Sequence, residues 1–232
     1  MPSVQAQREW SGTWDLSPHF SKHDRVAEAC CEGKGESIPF TPKYRKIRDA
    51  FAKLDTFTVE KNTDNVDYCI TAGVPGTLTH PMMWEFVITP GRVTFIAQDG
   101  SVRRIWTDGR KFPNHLQPSP QGYSIGRWRD DRNLLVETRS LSPGSMMFTI
   151  GPYYDTPRTK VYERFSLQSD KSMQVDVTIN EPEMFTRPFS FSLNEIKIPF
   201  PFEVACTNNR DTGYGKVDLT PPPELQGEFP QQ

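Results

Sequence analysis

Residues 84–113, WEFVITPGRVTFIAQDGSVRRIWTDGRKFP, followed after a loop by GYSIGRW at 122–128, decide the fold class. Short runs of β-branched and aromatic residues alternate with the turn dipeptides Pro90-Gly91, Asp99-Gly100 and Asp108-Gly109. Such punctuation marks successive antiparallel strands. The same rhythm continues, and strands are expected at 84–89, 92–98, 102–107, 123–129, 133–140, 146–150, 159–168, 172–180 and 187–196. Tight sequential turns make a meander, and a meander this long must curl or close, because open edges invite aggregation. The chain is therefore expected to be all-β, an antiparallel meander closing into an up-and-down β-barrel. A two-sheet sandwich is the alternative.

Working outward, WSGTW at 10–14 reads as an aromatic strand start, and residues 1–9 as a frayed N-terminus. Thr41-Pro42 supplies an N-cap and a first-turn proline, and Tyr44, Ile47, Phe51 and Leu54 follow at helical spacing. A helix over 42–54, packed on or plugging the sheet, is predicted. Residues 56–60 look like a short strand, and 62–83 like a loop with a turn at Pro75-Gly76. One barrel domain at 10–196 would include the helix, with an extension at 197–219. The tail at 220–232, TPPPELQGEFPQQ beginning at Thr220, should be extended or disordered.

The chain has 232 residues, 24% charged, with formal net charge −2, enough for one large β domain and poorly suited to an electrostatic grip on nucleic acid. No apolar run approaches the roughly 18 residues that cross a bilayer. Val4 and Ala6 stand where the small residues of a signal-peptidase site would, so a periplasmic or secreted protein is expected, a cytoplasmic one being the alternative. Cys30, Cys31, Cys69 and Cys206 permit disulfides or buried thiols, without zinc-type spacing. Oligomeric state is not legible.

A set of motifs runs through residues 10–195: Ser11–Trp14, Thr41-Pro42, Cys69 to Pro75, Glu85 with Pro90–Val93, Arg103–Ile105 with Asp108–Arg110, Ser124–Trp128, Val136–Thr138 and Glu163–Phe165. In this set the chain resembles a broad group of uncharacterised, mostly exported bacterial proteins, which implies a barrel-like fold and export but no activity. That group carries one histidine shortly after the DGR motif and another before SIG, where this chain has Phe112-Pro113 and Tyr123, with His115 nearby. Gly12-Thr13-Trp14 also resembles the opening of lipocalin-like barrels.

Strand residues alternate between faces. Val102, Arg104 and Trp106 share one face, and Arg103, Ile105 and Thr107 the other. Charges recur among apolar neighbours at Glu85, Arg104, Glu137 and Glu163. A barrel interior holding them could bind a small aromatic or apolar-anionic molecule. Arg104, Trp106, Glu85, Tyr123, Glu137 and Glu163 are the expected cluster, with Arg127, His80 and Trp14 also lining the site. The plain alternative is cross-strand ion pairing on the solvent face. Catalysis, if present, would be cofactor-independent acid–base chemistry of lyase or isomerase type: Glu85 or Glu137 moving a proton, Arg104 holding an anionic end, Tyr123 stabilising negative charge. No metal or nucleotide site is expected, since no G-x-G-x-x-G, P-loop or nucleophile elbow occurs. His19, His23 and Asp24 form the only metal-like grouping. A non-catalytic partner-binding or structural module is the other class.

Overall fold

In the computed structural model the described residues are 1–16, 38–51, 73–79, 83–98, 100–142 and 158–199. Nine strands close into one barrel in chain order. They are β1 (Gly12–Leu16), β2 (Trp84–Thr89), β3 (Arg92–Ala97), β4 (Val102–Trp106), β5 (Tyr123–Asp130), β6 (Asn133–Arg139), β7 (Lys160–Leu167), β8 (Ser172–Asn180) and β9 (Phe189–Ile198). The expected all-β barrel is thus present. The expected strand at 187–196 begins two residues later, and those at 56–60 and 146–150 lie outside the described residues.

An odd number of strands cannot close with every neighbour antiparallel. The barrel resolves this at one joint: β4 and β5 run parallel, while every other pair, β9 to β1 included, is antiparallel. The long connection at 107–122 carries the chain back to the same end, as a parallel pair requires. The joint is short, pairing Ile105 with Ser124 and Trp106 with Ile125. Gly126 follows it on the buried face, where a Cβ would stand 2.7 Å from Ile105 Cγ2, so the close approach of β4 to β5 depends on that glycine.

Residues 1–9, expected to fray, instead lead into helix α1 (Val4–Trp10). Ser3 caps it: its hydroxyl accepts from the Ala6 N–H at 3.2 Å and donates to the Asp131 carboxylate at 2.6 Å. Trp10 is buried edge-on to Phe86 and Trp128, and its indole N–H donates to the Asp131 carbonyl at 2.8 Å. A short helix is marginal alone, and these long-range contacts hold it. Ser3→Ala is expected to lower stability by about 1 kcal/mol in urea denaturation, the usual cost of a lost N-cap.

Helix α2 (Pro42–Phe51) begins where Thr41-Pro42 predicts, and residues 52–54 lie outside the described residues. The Thr41 carbonyl accepts the first helical bond from Arg45. Its hydroxyl, however, donates to the Glu183 carbonyl at 3.0 Å, docking the helix on the β8–β9 connection. Tyr44 is buried, as its stripe position predicts. The turn at Pro75-Gly76 opens a single helical turn, α3 (Gly76–Thr79).

Inside, Trp84 stacks on Phe95 at 4.6 Å and Trp14 at 6.2 Å and meets Phe86 edge-on. Outside, the walls of β7 to β9 carry Arg164, Asp176, Thr178, Ser190 and Ser192. Among the described residues no helix is long and apolar enough to cross a membrane. The four cysteines, the His19–Asp24 segment, His80 and residues 200–232 lie outside the described residues.

Candidate functional site inside the barrel

The closed barrel divides the expected cluster between its two faces. On β4 the inner face belongs to Arg103 and Ile105, both buried, while Arg104 is exposed and Trp106 only half-buried. Arg104 and Trp106 therefore do not line the interior, which corrects their expected placement. The physical reason is that VRRIW offers one arginine and one large apolar side chain to each face, so alternation alone cannot choose between them. Tyr123 and Glu137 also lie on the outer wall. The Tyr123 hydroxyl accepts from Arg110 at 3.5 Å, and Glu137 accepts from Arg139 at 2.7 Å. Glu85 is half-buried on the outside of β2, opposite Thr13 and Ile96. Arg127 is exposed opposite Leu135. Of the candidates among the described residues, Trp14 and Glu163 alone are brought into the core, both buried.

Glu163 meets Arg103, a residue the charge pattern passed over. The Arg103 guanidinium donates to both Glu163 carboxylate oxygens, the Oε1 contact at 2.8 Å, and also to Ser124 Oγ at 3.0 Å and Thr138 Oγ1 at 2.8 Å. The two hydroxyls bond each other at 2.9 Å. This network ties β4 to β5, β6 and β7 across the parallel joint. Its charges are mutually compensated and its hydroxyls used, as buried ions require. Chemically it is closed: a second anion would have to displace Glu163 to reach Arg103.

Glu195 is the opposite case. It lies on the inner face of β9, after Phe189, Phe191 and Leu193, and is 1% exposed. Among the described residues neither carboxyl oxygen has a hydrogen-bond partner. Burial first, and then the neighbouring Asp15 carboxylate, push its pKa well above the usual carboxylate range. The Trp84 indole N–H lies near enough to pull the other way, though the geometry falls short of a full hydrogen bond and that buried N–H has no other partner among the described residues. Lys197, two residues on, does not neutralise Glu195: its ammonium donates to the Glu9 carbonyl and sits 5.1 Å from the Trp14 ring centroid. Two buried polar groups with unused capacity thus face each other among Trp14, Trp84 and Met173.

The signal for Glu195 was present in FSFSLNEIKI at 189–198, where strict alternation assigns the glutamate to the phenylalanine face. Among the described residues no group of three or more His, Cys, Asp or Glu is placed to hold a metal ion. Compared with protein-family models and with curated proteins, the chain matches none.

Proposed function

We infer that the barrel interior binds a small, largely apolar molecule whose one polar group is neutral and is held between Glu195 and Trp84. The carrying observation is the pair of buried, unpartnered groups there. A buried polar group without a hydrogen bond costs about 1–3 kcal/mol, and a ligand that satisfies both removes that cost on binding. A protonated carboxyl donates and accepts, and an indole N–H donates, which matches a carboxamide or a comparable carbonyl group. Trp14 and Trp84 would supply aromatic walls. An anionic group is disfavoured, because Asp15 already raises the Glu195 pKa and Arg103 is satisfied by Glu163.

The same carboxyl favours a second reading, acid catalysis of lyase or isomerase type. A glutamic acid whose pKa is raised by an apolar, tryptophan-lined site can deliver a proton without metal or cofactor. The resemblance to exported bacterial proteins supports a periplasmic or secreted setting for either role.

Titration with naphthamide and naphthoate, followed by tryptophan emission and thermal shift, tests the binding proposal. Naphthamide should bind and naphthoate should not. Glu195→Leu and Trp84→Phe should each weaken naphthamide about three- to tenfold, the value of one hydrogen bond. Tighter binding of naphthoate, or indifference to both substitutions, would overturn it.

A further inference from the structure

The outer wall is chemically two-sided. Cross-strand register places Arg92, Trp106, Ile125, Glu137 and Tyr162 side by side in one row around β3 to β7. The same row continues onto β8 and β9 as Thr178 and Ser190. A neighbouring row passes from Arg127, Leu135 and Arg164 to Asp176 and Ser192. Short hydroxyl and amide side chains thus cover one side, and guanidiniums and aromatic rings the other.

The guanidiniums on that side are held over rings. Arg110 lies 3.7 Å from the Trp106 centroid and Arg139 4.0 Å from that of Phe112. Phe112 in turn stands 6.0 Å from Tyr123, joining the stacks into one surface. Tyr162 is 39% exposed, one of the large apolar side chains left open. Arg110, Arg139 and Arg164 pair with Asp108, Glu137 and Asp176, all at least a quarter open to solvent and so individually weak. Arg104 and Arg127 have no ion partner among the described residues. The patch is thus net basic on a chain whose formal charge is −2.

We propose that this β3–β7 wall is a docking surface for an acidic, aromatic-containing polypeptide segment of a partner protein. Arginine, tryptophan and tyrosine are the residues enriched where protein interfaces concentrate their binding energy. Stacking pre-orients the guanidiniums, so their N–H edges can meet carboxylates with little further loss of side-chain freedom. The excess positive charge selects an acidic partner and steers its approach. Rings already covered by guanidiniums make poor platforms for stacked bases, which sets a polypeptide ahead of single-stranded nucleic acid.

The probe is a synthetic peptide alternating glutamate with tyrosine, titrated against the full chain by fluorescence anisotropy at 50 and 200 mM salt. Binding should weaken with salt. Arg104→Glu with Arg127→Glu should weaken it about tenfold, as expected for two exposed charges reversed. Ser190→Glu with Asn194→Glu, on the exposed face of β9, should leave it unchanged. Circular dichroism establishes that both variants fold, and if the arginine variant does not, Tyr162→Ser with Arg104→Gln replaces it with the same expected weakening. Equal effects from the two walls, or tighter binding of oligo-dT or of phosphatidylserine vesicles than of the peptide, would overturn the proposal.

Discussion

Replacing Glu163 with alanine is expected to cost about 3–5 kcal/mol, measured as the shift of a urea unfolding midpoint at constant slope. Glu163 and Arg103 are each 3% exposed, and the substitution would leave a guanidinium in the core with only two hydroxyl partners. Arg103→Met should cost a similar amount for the mirrored reason. The double variant Arg103→Met with Glu163→Leu should lose much less than the two single losses combined. Removing both ions abolishes their desolvation cost, and Ser124 and Thr138 still bond each other at 2.9 Å. Amide exchange adds a spatial signature. Arg103 spans the joint where β4 meets β5 over only two residue pairs, so in Glu163→Ala protection should fall first at Ile105, Trp106 and Ser124. A single-variant loss below 1 kcal/mol, or protection lost evenly around the barrel, would contradict the role given to this pair.

How much of this was legible depends on the range of the interaction concerned. The hairpins were legible because Pro90-Gly91 and the turn before Asn133 are local chemistry, and the strands beside them fall at the expected positions. The inward turn of Arg103 was not. It is tolerable only because Glu163 waits 60 residues away, and nothing within VRRIW announces that partner. Helix α1 was missed for the same reason, since its anchor, Asp131, lies 128 residues beyond Ser3. Trp106, Tyr123 and Glu137, expected in the interior, lie on the outer wall, because alternation fixes which residues share a face and not which face turns inward. Glu195 was legible in principle. Its strand alternates without interruption and sets the glutamate on the phenylalanine face, but a lone carboxylate near a strand end is as common on the solvent face, so the local pattern does not mark it as chemistry.

That overlooked carboxyl carries the other large effect. Glu195→Leu is expected to stabilise the free protein by about 1–3 kcal/mol at pH 8, the cost of a buried polar group left unsatisfied. The sign follows from linkage. Burial and Asp15 raise the folded-state pKa above the ordinary 4.5, so the folded protein holds this proton more tightly than the unfolded chain. The contribution of Glu195 is therefore most favourable below about pH 4.5 and is lost as pH rises through the raised value. The native protein should lose stability across that window, Glu195→Leu should not, and the gap should widen with pH. Glu195→Gln, which cannot ionise but keeps a polar end, should fall between them. Asp15→Asn should move the window downward by removing the neighbouring charge. The surface carboxylates cannot mimic this trend: Asp131 is lowered by its hydrogen bonds from Ser3, so it acts below about pH 3.8 and in the opposite direction. A stabilised Glu195→Leu that also loses naphthamide would show a group kept at the expense of the fold for what it binds. If Glu195→Leu were instead destabilised at pH 8, the carboxyl would have to be satisfied already, and the ligand site built on it would fall with it.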